Sequence, residues 1–168
     1  MIEIIDAATP EQLDQVRRLM RAFVGWHRQR HQQDLELINE YFNAKKFENE
    51  LTSLPGKYSP PGGRLLLADH EGQTAGCAAL REIDARTCEM KRMFVYPQFQ
   101  SKGVGRALAE RIVDEARSIG YSSMVLDTSV RQVEARGLYQ SLGFKVVQPY
   151  YKLSERLENW LVFMQLQL

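Results

Sequence analysis

The segment Val95-Tyr96-Pro97-Gln98-Phe99-Gln100-Ser101-Lys102-Gly103-Val104-Gly105-Arg106-Ala107-Leu108 constrains the fold of this 168-residue chain more than any other. It leads from an apolar strand into a helix through a loop that two glycines leave without side chains. The first turn of a helix carries N–H groups with no partner, and its aligned peptide dipoles add partial positive charge at that end. Because Gly103 and Gly105 lack a Cβ, a pyrophosphate reaches the amides of residues 101 to 105, and Lys102 and Arg106 supply full charges beside it. The segment therefore reads as a seat for a phosphate-bearing cofactor, with an ordinary glycine-rich strand-to-helix turn as the alternative.

Spacing excludes two other phosphate loops. A P-loop requires lysine directly after its second glycine, whereas Lys102 precedes Gly103. A dinucleotide fingerprint requires a third glycine where Leu108 stands.

The flanks narrow the reading. Glu89-Met90-Lys91-Arg92-Met93-Phe94-Val95, then Gln100-x-x-Gly103-x-Gly105, then Leu138-Tyr139-Gln140-Ser141-Leu142-Gly143-Phe144 occur in an order and spacing that closely resemble the GNAT superfamily of N-acetyltransferases. The similarity covers roughly residues 62 to 168, while the first 60 residues fit the family's opening strand and two helices without a specific motif. The resemblance implies a mixed α/β fold: a mainly antiparallel sheet of six to seven strands flanked by helices, with splayed central parallel strands. It also implies acetyl-CoA as co-substrate.

Composition sets the outer bounds. A single domain of this length buries about 70% of the surface its unfolded chain exposes. The net charge of +1, from 22 basic and 21 acidic residues, provides no field for nucleic acid or an anionic membrane. The alternating start Met1-Ile2-Glu3-Ile4-Ile5-Asp6 does not read as a signal peptide, and apolar runs such as Leu65–Ala68 are far below the ~18 residues of a spanning segment. Cys77 and Cys88, in strand-like apolar contexts, suit buried reduced thiols, and a cytoplasmic location is the expectation.

Along the chain, Thr9-Pro10-Glu11-Gln12 forms a capping box that starts a helix, with Leu13, Val16, Met20, Phe23, Val24 and His27 on one stripe. A second helix is expected over about 34–51, ended by the Pro/Gly-rich 54–63. Three antiparallel strands follow at about 64–69, 74–82 and 87–95. Next come a helix over 103–119 closed by Gly120, a short buried strand at 124–126, a helix over 131–142 and two last strands at 144–148 and 160–167. The strand–loop–helix–strand order over 90–127 implies a parallel pair with a right-handed crossover. Pro97, lacking an N–H, fits a strand forced to stop. The terminal stretch 159–168, if an exposed strand, could pair across a homodimer.

Acetyl transfer to an amine needs that amine unprotonated, and a lysine-like amine titrates at about 10.4, so a base must take its proton. By resemblance Glu89 is the first candidate; Glu82, near the end of the neighbouring strand, and Asp127, ending the later parallel strand, stand behind it by position, and the alternative is that Glu89 merely pairs with Lys91. Strict alternation would put Glu89, Lys91, Met93 and Val95 on one face and Met90, Arg92 and Phe94 on the other. The resemblance further implies Tyr139 as the donor to the departing thiolate and a main-chain N–H at Phe94 or Val95 as the oxyanion donor. It places Gln132, where many members carry asparagine, against the cofactor arm.

His27 and His31 lack a third ligand, so no metal is expected. Trp26, Tyr41, Phe42, Phe47, Tyr58, Tyr150, Tyr151 and Trp160 form an aromatic set on the acceptor side, most of it read as core. Neither cysteine falls in the motif region, which favours direct transfer in a ternary complex to a small-molecule or amino-acid-like amine. A protein N-terminal or lysine acetyltransferase and a non-catalytic acyl-CoA sensor are the rival readings.

Overall fold

The computed structural model describes residues 1–168. Seven strands form one sheet in the order β1-β2-β3-β4-β5-β7-β6: β1 (Ile2–Asp6), β2 (Arg64–His70), β3 (Gln73–Glu82), β4 (Thr87–Val95), β5 (Ser123–Ser129), β6 (Lys145–Val147) and β7 (Leu161–Gln167). Every neighbouring pair is antiparallel except β4–β5. The mixed α/β sheet expected from the sequence is therefore present.

Two cores sandwich the sheet. On one face lies α4 (Val104–Ile119), which buries Val104, Leu108, Ile112, Val113 and Ala116, together with Tyr139 of α5 (Val133–Ser141). The other face carries α1 (Pro10–Arg30), α2 (Leu35–Tyr41), α3 (Ala44–Thr52) and α6 (Glu155–Trp160), with Leu19, Ile38, Leu51 and Trp160 in its core. The predicted capping box starts α1: the Gln12 N–H donates to Thr9 Oγ1 at 3.2 Å, and the Thr9 N–H donates to Gln12 Oε1 at 3.0 Å.

Three expectations are corrected. The single helix over 34–51 is two, because Phe42 leaves the helical region and Asn43 starts α3 by accepting the Lys46 N–H at 3.1 Å. Residues 159 and 160 belong to α6, whose Ser154 cap accepts the Leu157 N–H, and the last strand begins at Leu161. That strand, β7, is no exposed edge: it lies between β5 and β6, paired on both sides, so it cannot extend across a dimer.

The third correction matters most. Arg92 adopts φ +58° and the β3–β4 register shifts between Cys77 and Ala79, which is a β-bulge. The extra residue inverts the alternation. Cys88, Met90, Met93 and Val95 pack toward α4, while Arg92 joins Glu89, Lys91 and Phe94 on the α1 side.

Candidate active site

β4 and β5 pair through only three positions, Thr87 with Ser123, Cys88 with Met124 and Glu89 with Val125. Beyond Glu89 the strands part, and the opening is a cavity of about 420 Å³ bounded by α1, α2, the start of α4 and α5. That size suits a small-molecule site. The bulge sits on its rim, and the Tyr96 N–H is spent on Ala75 O at 2.8 Å. By alternation the Val95 N–H faces the gap.

At the head of α4 the sequence expectation acquires geometry. The strand stops at Pro97, and the chain turns through Ser101 at φ +63° and Gly103 at φ +86°, both left-handed, before the helix begins. The first helical bond is from the Ala107 N–H to Gly103 O, at 3.0 Å. No carbonyl or side chain accepts from the N–H groups of residues 101 to 106. These amides are unpartnered donors at the positive end of a 16-residue helix. Glycine is required at 103 by its backbone angle, whereas a Cβ at Gly105 would meet Leu138 and Val95 at ordinary contact distances.

Gln100, Ser101, Gly103, Gly105 and Arg106 line the cavity, as do Phe94, Val95 and Gln132. Lys102 and Val104 do not line it, and the Val104 side chain is buried beneath the helix. Lys102 lies 5.8 Å over the Phe99 ring, and Arg106 donates to Ser141 Oγ at 2.8 Å. Gln132 Nε2 lies 2.7 Å from His27 Nε2, so its amide is tethered to α1. Burial and the neighbouring His31 and Arg30 depress the His27 imidazole to about 4, so it is neutral at physiological pH.

Tyr139 lines the cavity from α5 and its hydroxyl makes no hydrogen bond to the protein. Burial, with Asp127 nearby, raises its phenol above the ordinary value and keeps it protonated. Glu89 lines the opposite wall at 1% exposure. Its Oε1 accepts from Arg81 Nε at 2.6 Å and lies 3.9 Å from Lys91 Nζ, and its Oε2 accepts from the Tyr150 hydroxyl. Burial opposes its ionisation, but Lys91, the Tyr150 hydroxyl and Arg81 outweigh burial and hold the carboxyl below its ordinary value. Lys91 is thus the more distant of two cationic neighbours.

Asp127, on β5 past the last parallel pair, lines the cavity and accepts from the hydroxyls of Tyr41 and Tyr151. Glu82 does not join this group: it ends β3 at the surface, outside the cavity. What sequence reasoning missed is this phenol ring around the carboxylates. The sequence reading places Tyr41, Tyr150 and Tyr151 among mainly core aromatics, and nothing in their spacing connects them to carboxylates 24 to 86 positions away.

Residues 26–144 match the family model described as Acetyltransferase (GNAT) family. The chain belongs to the GNAT acetyltransferase family. It is 39% identical over 121 residues to an uncharacterized N-acetyltransferase of Schizosaccharomyces pombe, covering 69% of this chain and 74% of that one. To the L-amino acid N-acyltransferase MnaT of Escherichia coli it is 34% identical over 113 residues, 64% of this chain and 66% of the relative. The crystal structure of the PaiA N-acetyltransferase from Thermoplasma acidophilum in complex with coenzyme A superposes with a TM-score of 0.73 over 100% of this chain and 99% of that one; at 19% identity the likeness is one of fold. Membership makes this GNAT chain an acetyl-CoA-dependent N-acetyltransferase. The unpartnered amides of 101 to 106 and the free Tyr139 hydroxyl fit that co-substrate.

Proposed function

We propose that the protein transfers the acetyl group of acetyl-CoA to the amine of a small, amino-acid-like acceptor, directly within a ternary complex. The observation that carries this reading is a single cavity with anion-binding amides and an unengaged phenol on one wall and an ionised carboxylate on the other.

In this reading the amides of residues 101 to 106 hold the diphosphate, with Lys102 and Arg106 beside them. Gln132, fixed by His27, has its Oε1 left to accept from the cofactor arm. Acetyl-CoA supplies a thioester carbonyl and a thiol leaving group. The Val95 N–H donates to the carbonyl oxygen as charge develops there, a kind of contact whose loss costs about 2.7 to 4 kcal/mol in other enzymes. Glu89 takes the proton that the amine gives up, through water or the Tyr150 hydroxyl, and Tyr139 gives its proton to the sulfur.

Direct transfer is supported by the cysteines. Burial pushes the thiols of Cys77 and Cys88 up to about 12, and neither lines the cavity, so no thiolate stands ready to take the acetyl group. An amino-acid acceptor is supported by the neutral overall charge and by the likeness to MnaT.

Thiol release from acetyl-CoA across amines, amino acids and peptides tests the reading. Amino acids should be turned over, and Tyr139→Phe should lower kcat about 100-fold or more with CoA affinity retained. No release with any acceptor would favour a sensor, and release only with peptides would favour a protein acetyltransferase.

A further inference from the structure

The transfer reading gives Lys91 no task beyond helping to keep Glu89 ionised. Lys91 lies on β4 between Glu89 and the bulge, and its side chain is 17% exposed. It lines the cavity, yet its ammonium donates no hydrogen bond to the protein, and its only ionic neighbour is Glu89 at 3.9 Å.

Of the charges beside it, Glu89 and Arg92 are already matched by an opposite one. Glu89 is taken by Arg81 at 2.6 Å, and Arg92 is taken bidentately by Glu50, at 2.8 and 3.1 Å. Asp127 is satisfied by two phenols. An ammonium with three donors and no acceptor, lifted out of bulk water, is costly unless a ligand completes it.

From this we infer that Lys91 binds the carboxylate of the acceptor, so that the substrate class is a free α-amino acid rather than a simple amine. The inference rests on the acetyl-transfer reading and deepens it. A monoanion fits the charge count: one unmatched cation faces the cavity, and Glu89 and Asp127 nearby oppose a second negative charge. Asp127, with no cationic hydrogen-bond partner, lies across the gap on β5, suited to the amine end of the same zwitterion. The α1 wall contributes Phe23 and Trp26, and Phe23 stacks on Phe94 at 5.2 Å between ring centres, a surface for an apolar side chain.

The test compares L-phenylalanine with phenethylamine, which differ only in the carboxylate, in wild type, Lys91→Met and Lys91→Arg. Wild type should favour phenylalanine in kcat/KM. Lys91→Met should shrink that preference about 10-fold or more, mainly through KM, the loss expected for one charge-assisted bond, and Lys91→Arg should restore part of it. Binding of N-acetyl-L-phenylalanine, followed calorimetrically in the presence of CoA, should weaken by a similar factor in Lys91→Met.

A wild type indifferent to the carboxylate, or Lys91→Met equally weakened for both acceptors, overturns the inference while leaving acetyl transfer intact. If no acceptor is turned over, the transfer reading fails, and the calorimetric comparison still decides whether Lys91 binds a carboxylate. Unchanged affinity in Lys91→Met overturns the inference on that arm too.

Discussion

Arg81 Nε stands 2.6 Å from Glu89 Oε1 across the β3–β4 ladder, and together with Lys91 and the Tyr150 hydroxyl it keeps a carboxylate charged at 1% exposure. The partner comes from the neighbouring strand, at a position directly opposite in register. A base must be ionised to act, and Lys91, the Tyr150 hydroxyl and Arg81 secure that at the expense of intrinsic basicity.

Glu89→Gln should therefore lower kcat about 100-fold or more and remove the acidic limb of the pH–rate profile. Since the Glu89 carboxyl is held below 4.5, the wild-type limb should lie below that pH. If Asp127→Asn causes the larger drop, the base is Asp127.

The second prediction concerns the bulge. Arg92, at φ +58°, places its guanidinium 5.4 Å from the Phe42 ring centre and 5.2 Å from that of Phe47, and clasps Glu50. Arg92→Met leaves Glu50 charged with only Lys57, at 3.0 Å, as a cationic partner beside the Tyr58 hydroxyl, and should cost about 3 to 5 kcal/mol in urea unfolding.

Glu50 itself gives a pH signature. Burial opposes its ionisation, yet Arg92 and Lys57 depress it to about 2. A folded value below the unfolded one stabilises above the unfolded value, and that stabilisation is lost as pH falls toward the folded one. Between pH 4.5 and 2 the wild type should lose about 3 kcal/mol relative to Glu50→Gln. Equal slopes would mean that the ion pair does not form.

His27 provides a fourth. Its value of about 4 lies below the ordinary 6.5, so the unfolded chain binds the extra proton in that interval. Stability should rise with pH from 4 to 6.5, by about 3 kcal/mol at most, and His27→Gln should flatten the slope in thermal unfolding.

The loop makes a fifth prediction. Gly103→Glu should abolish the rise in Tm on adding CoA, through a side chain strained at φ +86° and a like charge beside the diphosphate. Retained stabilisation would place the cofactor elsewhere.

The sequence carried much of this. Local signals were sufficient where the physics is local: Thr9 with Gln12 capped α1, Gly103 and Gly120 bounded α4, and the strand–helix–strand order required the parallel pair. It failed where one residue changes a period. The left-handed Arg92 inverts the faces of β4, and its reason, a guanidinium drawn onto Glu50 42 positions away, lies outside any local window. The break at Phe42–Asn43 was concealed by a continuous helical pattern on both sides. Glu89 and Tyr139 were named by resemblance and Asp127 by its place at a strand end, and all three line the cavity; Arg81 and the phenols were not legible, because register across the sheet, the end of α2 and the return of residues 148 to 154 bring them in.

The central claim is that main-chain amides at the head of α4 recognise a diphosphate. The most direct measurement is an amide proton–nitrogen spectrum of the labelled protein titrated with CoA, read at residues 101 to 106. The account predicts large shifts and slowed hydrogen exchange at those amides, saturating with CoA affinity. Saturable CoA binding that leaves those six amides unmoved and exchanging freely would contradict it.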